Sequence, residues 1–298
     1  MAIGHPTPLT GPLPGGREGA TVVLYPLLGA QMLSPPGFMA LEGGRLSALT
    51  AMRKPKREWE LLPIVAFLVE HPSAGPFLVD TGFHPSVAVD PKQSLGPFFG
   101  RAWNVQMKAE QAISAQLRAR GMDARELPLV VMTHLHLDHA SAISEFTGAR
   151  FVLGQGEWAA MHGPRPTFNG YIRKHVAHAV DFLEVPYDAP EVDSYSTFAN
   201  SFDLFGDGSV RLVYTPGHSR GHQSLILRLR DREALIAGDA IYYLKTLENE
   251  KRGFAMADEH LWRRSLREIQ LYKREHPDAL IIPGHDQQTW DGLAERYS

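Results

Sequence analysis

Within the run Thr133-His134-Leu135-His136-Leu137-Asp138-His139, three imidazoles and one carboxylate fall inside six residues. Imidazole nitrogen and carboxylate oxygen are the donors that Zn²⁺ and similar borderline divalent ions accept. Read as an extended segment, the run turns His134, His136 and Asp138 to one side, because residues two apart share a face. His139 then follows in a turn and can face a second ion. A surface loop has no reason to carry this pattern.

The run cannot close two metal sites alone, but the chain supplies three further donors in similar settings. Thr215-Pro216-Gly217-His218, Ala237-Gly238-Asp239 and Pro283-Gly284-His285 each follow an apolar stretch and present one donor from a glycine-containing turn. Four strand ends on one rim would place seven ligands around one cleft: His134, His136, Asp138, His139, His218, Asp239 and His285.

The elements that must position these donors are legible as apolar runs. Residues 127–132 are continuously apolar apart from one proline and read as a buried strand running into His134. Residues 21–25, 58–70, 76–80, 212–214, 224–229, 234–237 and 280–282 read as further strands. Residues 103–119, 156–162, 171–180 and 258–275 carry helical patterns, the last stopping just before Pro277. Two β-rich halves, each with its helices, predict an α+β fold, a four-layer αββα sandwich. Residues 1–19, rich in Pro and Gly, read as a flexible N-terminal arm, and residues 20–298 as a single domain.

The 298 residues suffice for one sizeable core. A net charge of −3 with scattered Lys and Arg argues against a nucleic-acid partner, and the basic stretch 53–57 reads as a solvated loop. The chain has no cysteine, which removes disulfides, thiolate ligands and a cysteine nucleophile. Neither a signal-peptide pattern nor an apolar span of ~18 residues is present, so no membrane association is expected and the cytoplasm is the default compartment.

With these residues in view, the chain resembles the metallo-β-lactamase superfamily, whose central motif is the H-x-H-x-D-H run at 134–139. His218, Asp239 and His285 match the later ligands of that family in order and context. The resemblance implies two divalent metal ions, Zn²⁺ by default with Fe, Co or Mn as alternatives. It implies that His134, His136 and His218 hold one, that Asp138, His139 and His285 hold the other, and that Asp239 bridges them.

Three features resemble N-acyl homoserine lactone lactonases in particular. They are the stretch 215–225 (TPGHSRGHQSL), a tyrosine three residues after the bridging aspartate (Tyr242), and Leu62-Pro63-Ile64 leading through a hairpin to Asp80-Thr81-Gly82. The implied activity is opening of a lactone ring, with Tyr242 touching the substrate carbonyl and Asp138 carrying a proton to the leaving oxygen. A small lactone or ester would be the substrate, and a homodimer is plausible by the same resemblance. Packing in the apolar patch 241–244 is the other reading of Tyr242. Asp80 reads equally as a partner of a ligand histidine or as a turn-former, and His222 as a packing or orienting residue rather than a ligand. His175 and His178 read as a polar helix face. Phe168, Tyr171 and Phe182 are either apolar rim or core, and residues 35–39 a loop shaping the substrate pocket. The competing functions are a glyoxalase II-type thioesterase, a phosphotriesterase or arylesterase on the same fold, and a non-catalytic metal or ligand sensor.

Overall fold

The apolar runs become the strands of two stacked sheets in the computed structural model, which describes residues 5–42, 45–178 and 181–298. The first sheet takes β1 (Thr7–Pro8), β2 (Val23–Ser34), β3 (Glu60–His71), β4 (Gly75–Val79), β5 (Asn104–Gln106), β6 (Leu129–Val131), β7 (Arg150–Gly154) and β8 (Phe182–Val185). Their spatial order is β1-β8-β7-β6-β4-β3-β2-β5. The second sheet takes β9 (Asp193–Tyr195), β10 (Phe198–Asp203), β11 (Val210–Tyr214), β12 (Gln223–Arg228), β13 (Glu233–Gly238) and β14 (Leu280–Pro283), in the order β14-β13-β12-β11-β10-β9. Both sheets are mixed. β4, β6, β7 and β8 run parallel at the centre of the first, and β13 and β14 run parallel at the edge of the second. Every residue of β6 is buried, as befits a parallel strand covered on both faces.

One core lies between the sheets, with Val65, Phe67, Val69, Phe77 and Val131 of the first against Leu212, Leu225, Leu227 and Ile236 of the second. The outer face of the first sheet is covered by Ile113, Leu117, Trp158 and Met161 from two helices, Ile113–Ala119 and Glu157–His162. The outer face of the second is covered by Trp262, Leu266, Ile269 and Tyr272 of the helix Glu259–Glu275. These apolar residues recur at helical spacing, and Asp258 caps the helix by accepting from the backbone N–H groups of His260 and Leu261. The α+β, four-layer αββα arrangement expected from the strand and helix pattern is therefore the one observed.

Three expectations need correction. Residues 1–4 of the supposed flexible arm lie outside the described residues, but the rest of it is packed. Thr7–Pro8 pairs parallel with β8, and Leu9 and Leu13 are buried in the inter-sheet core. Two leucines anchor a stretch whose Pro and Gly content alone suggests freedom. The helix expected over 103–119 starts only at Ile113, because residues 104–106 are captured as an edge strand by β2. The helix expected over 171–180 is reduced to a 3₁₀ turn at Arg173–Val176, and residues 179–180 lie outside the described residues. Among the described residues no helix is long and apolar enough to cross a membrane.

Candidate metal centre

Strand register brings the candidate donors together. β4 lies parallel to β6 with Val79 opposite Val131, so Asp80 and Thr133 leave adjacent strand ends. β11 and β12 are antiparallel with Tyr214 opposite Gln223, and their connection carries His218. β13 and β14 are parallel with Gly238 opposite Pro283, which sends Asp239 and His285 out side by side. Gly284 is required at this point, since a Cβ there would lie 2.2 Å from Asp239 Oδ1. The run 134–139 is extended only as far as His136. Leu137–Ala140 forms a short helix with His136 at its N-cap, so Asp138 and His139 project from a helical turn rather than from a strand.

All seven expected donors meet in one place, and they fall into groups. His218 Nε2 lies 3.1 Å from His134 Nε2 and 2.8 Å from His136 Nδ1. On the other side, His285 Nε2 lies 3.4 Å from Asp138 Oδ2, and His139 Nε2 lies 3.7 Å from that same oxygen. Asp239 stands between. Its Oδ2 is 3.2 Å from His218 Nε2 and 3.8 Å from His134 Nε2, whereas its Oδ1 is 3.2 Å from His285 Nε2 and 3.5 Å from His139 Nε2. These are spacings of ligand atoms that share ions, gathered in sets of three able to hold a metal.

The opposite edge of four of the five imidazoles is tied down by a hydrogen bond. His134 Nδ1 meets Thr133 Oγ1 at 3.1 Å, His139 Nδ1 meets Asp80 Oδ2 at 2.7 Å, His218 Nδ1 meets the Tyr242 hydroxyl at 3.0 Å, and His285 Nδ1 meets the Pro63 carbonyl at 3.0 Å. His136 lies against the Asn169 backbone, which favours its charged form, and against the Tyr171 ring. A metal-binding histidine needs such a partner on its outer nitrogen to fix ring and tautomer. By contrast, His139 Nε2 and Asp239 Oδ1, both buried and facing inward, have no hydrogen-bond partner. Buried polar atoms are rarely left unsatisfied. The donor set and its orphaned inward atoms therefore fit a dinuclear metal site of buried His and Asp ligands.

Electrostatics separate the two groups. Burial drives the pKa of His136 and His218 down to about 3 against the pull of Asp239, and burial with the neighbouring imidazoles holds His134 well below its ordinary value. These rings are neutral, the form that binds a metal. Burial also opposes charge on His139, but the carboxylates of Asp138, Asp239 and Asp80 outweigh it and hold that ring well above the usual imidazole range. His285 is raised likewise by Asp239 and Asp138. Burial disfavours ionisation of Asp239, yet His285, His139 and His218 overcome it and keep the carboxyl well below its usual range.

Of the two readings of Asp80, the structure shows a contact with His139, one of the candidate donors. Asp80 has a positive φ of 60°, an uncommon conformation held by its accepting bonds from Thr133 N (2.7 Å) and Thr133 Oγ1 (2.8 Å) as well as His139. His222 is buried behind His134, ring centroids 5.2 Å apart, with Nδ1 on Thr215 Oγ1 at 2.9 Å. Tyr242 is buried and lies with its ring between His218 (5.4 Å) and His285 (5.6 Å). Tyr243 instead gives its hydroxyl to Glu60.

Tyr171 packs edge-on against His136 at 4.7 Å, Phe182 is core against Trp158, and Phe168 stands 87% exposed. Phe38, in the loop expected to shape the pocket, stacks on Phe254, while Met39 joins the apolar cluster around Leu137 and Tyr242. His175 is not on a polar face. It is buried against Ser94, while His178 is exposed. Two contributors escaped the sequence reading. The Asn169 backbone leaves no side-chain signal. Glu157 could have been noticed as a carboxylate opening an otherwise apolar helix.

Comparison with known proteins agrees with this geometry. The metallo-beta-lactamase superfamily model matches residues 59–285. An N-acyl homoserine lactonase, AttM, of Agrobacterium fabrum is 33% identical over 235 residues, covering 77% of this chain and 84% of that protein. A probable metallo-hydrolase of Mycobacterium tuberculosis is 33% identical over 231 residues, covering 72% of each. Among solved structures, an N-acyl homoserine lactone hydrolase with the product N-hexanoyl-L-homoserine at its catalytic metal centre superposes with a TM-score of 0.72 at 22% identity. That match covers 95% of this chain and 98% of the other.

Proposed function

The chain belongs to the metallo-β-lactamase superfamily, and from that premise we propose that it is a dinuclear-metal hydrolase that opens a lactone ring, with N-acyl homoserine lactones as its substrate class. The observation that carries the dinuclear reading is the division of Asp239, one oxygen toward His134 and His218 and the other toward His139 and His285. In this reading His134, His136 and His218 hold one ion, Asp138, His139 and His285 the other, and Asp239 both. Zn²⁺ suits such a set, and Fe, Co or Mn also accept it. When bound, the ions supply Lewis acidity and make water acidic enough to ionise near neutral pH.

The chain's own groups set the rest of the chemistry. In hydrolysis the water oxygen joins the carbonyl carbon, the ring C–O bond breaks, and the ring oxygen must gain a proton. Asp138 is the least buried of the seven donors, with its side chain 13% exposed, and is the group that can carry that proton. Burial keeps the Tyr242 hydroxyl protonated far above neutral pH. With His218 bound through Nε2, its Nδ1–H donates to Tyr242 and leaves the tyrosine proton free for a carbonyl oxygen gaining charge. The new carboxylic acid ionises, so each ring opened releases one proton.

The lactone is favoured over other esters by the 215–225 stretch, by the placement of Tyr242 between both donor groups, and by the identity to AttM. The test is proton release from N-acyl homoserine lactones of short and long chain, with and without chelator. Chelator-sensitive release of one proton per lactone is expected. No release by metal-loaded protein would discard the lactone, and thioesters and phosphotriesters would then be assayed at the same centre.

A further inference from the structure

Glu157 is the first residue of the helix Glu157–His162 and fully buried, and its hydrogen bonds go to groups other than the seven donors. Its Oε1 accepts from the backbone N–H of Leu135 at 2.9 Å, and its Oε2 accepts from Ser219 Oγ at 2.7 Å and from the backbone N–H of Gly221 at 3.0 Å. Tyr171 faces the same carboxylate, whose charge adds to burial in holding the tyrosine's pKa above its ordinary value. Leu135 lies between His134 and His136, and Ser219 and Gly221 follow His218. One carboxylate therefore joins the two loops that carry the three-histidine group, one from each sheet. Its seat is close-fitting, since a Cβ on Gly221 would lie 2.3 Å from the Glu157 nitrogen and 2.5 Å from its Cβ.

A carboxylate with two oxygens and three donors is matched to this place, because an acceptor-only group satisfies every N–H and O–H turned toward it. Burial raises its pKa, and the hydrogen bonds from Ser219, Leu135 and Gly221 oppose that rise. Tyr171 extends the tie. Its ring packs on His136, and Leu137 N–H bonds the Gly170 carbonyl just before it. Glu157 thus faces His134, His136 and His218 from behind, through backbone and hydroxyl groups.

We propose that Glu157 is a positioning residue that clamps the His134–His136 segment to the His218 loop and so sets the metal affinity of the three-histidine group, while leaving the Asp138, His139 and His285 group alone. The proposal rests on the dinuclear reading above.

The clamp is broken most gently by Glu157→Gln, which keeps the shape but turns an amide NH₂ toward at least one N–H donor. Full-length protein is stripped and titrated with Zn²⁺ against a competing chelator, and with Co²⁺ followed by its visible absorption. Wild-type protein is expected to take two ions. In the variant, the affinity of one ion should fall by about 10–100-fold, as for other partners of metal ligands. The second ion should stay within about threefold, and the Co²⁺ spectrum of the weakened site should change. A variant that melts lower without metal but binds both ions as wild type, with unchanged spectra, would overturn the clamp and leave Glu157 a plain structural residue. A wild-type chain that binds no ions would overturn the dinuclear reading instead. If Glu157→Gln does not fold, Ser219→Ala is judged by the same two criteria, with a several-fold loss at one ion expected.

Discussion

The floor of the candidate site, made by its donors, and the wall of segments beside it are built differently. The floor is over-determined: five imidazoles, four of them with the outer nitrogen hydrogen-bonded and His136 packed against Tyr171, are delivered by strand ends and one helical turn placed by two sheets and one core. The wall near it, formed by residues 163–178 and the segment around 91–102, consists of 3₁₀ turns and a helix interrupted at Gly96. It is held by the Ser94–His175 and Ser94–Ser141 bonds, by Lys174 on the Gln93 carbonyl and by Arg173 on the Met161, His162 and Gly163 carbonyls, and it leaves Phe98 and Phe168 exposed. A floor fixed by many partners preserves the chemistry. A wall of turns and short helices that leaves apolar side chains exposed can vary, and substrate choice with it.

Changes to the floor should alter metal content, and changes to the wall should alter substrate affinity alone. The largest effect is expected from Asp239→Ala, which removes the carboxylate shared by both groups. Metal analysis should show loss of bound ion, and turnover should fall to background. Full turnover would break the comparison at its root. Tyr242→Phe should retain both ions and lose about 10²-fold in kcat, the usual cost of one donor to a developing oxyanion. An unchanged kcat would return Tyr242 to packing. Asp80→Asn weakens the acceptor on His139 Nδ1 and should cost about 10–100-fold in affinity at one ion, measured by chelator competition. Equal losses at both ions would show that Asp80 supports the fold at large rather than one ligand.

The wall predicts smaller effects. Burial, with Lys174 and His84 adding to it, lowers the pKa of His175 to about 4. Between about 6.5 and about 4 the unfolded chain binds this proton and the folded one does not, so stability falls as pH falls, by about 1.4 kcal/mol per pH unit. Below about 4 both states are protonated and this slope ends. In urea denaturation of metal-free protein, His175→Gln should lack this component, and its deficit relative to wild type should shrink on acidification. Parallel curves would remove His175 from the account. Phe168→Ala should leave metal content untouched and change KM for long-chain lactones by a few-fold, the scale of a partly exposed apolar contact. A drop in bound metal would mean that wall and floor are one unit after all.

How far the sequence reveals each region follows from the same difference. The floor's donors were legible because metal binding demands particular residue types at strand ends, and each strand is a short apolar run. The αββα layering followed from those runs. What holds the donors was mostly hidden. Glu157 meets Ser219 across 62 residues, and His285 meets the Pro63 carbonyl across 222, pairings that no local pattern encodes. The helical turn at Leu137–Ala140 was read as extended because alternation of donors mimics a strand. β9 and β10 were missed because neither shows an apolar run, β9 being mostly exposed and only half of β10 buried, and the packing of Leu9 and Leu13 was missed because tertiary burial overrode local composition. The wall was least legible, since aromatic residues at Phe168, Tyr171 and Phe182 take three different fates, exposed, against a ligand, and in the core.

The most direct test of the account is the number of metal ions held by the purified chain after stripping and reloading with Zn²⁺, counted by elemental analysis against protein concentration. Two ions per chain, falling in Asp239→Ala, is the predicted result. One ion or none in the wild-type protein would contradict a carboxylate shared between two metals.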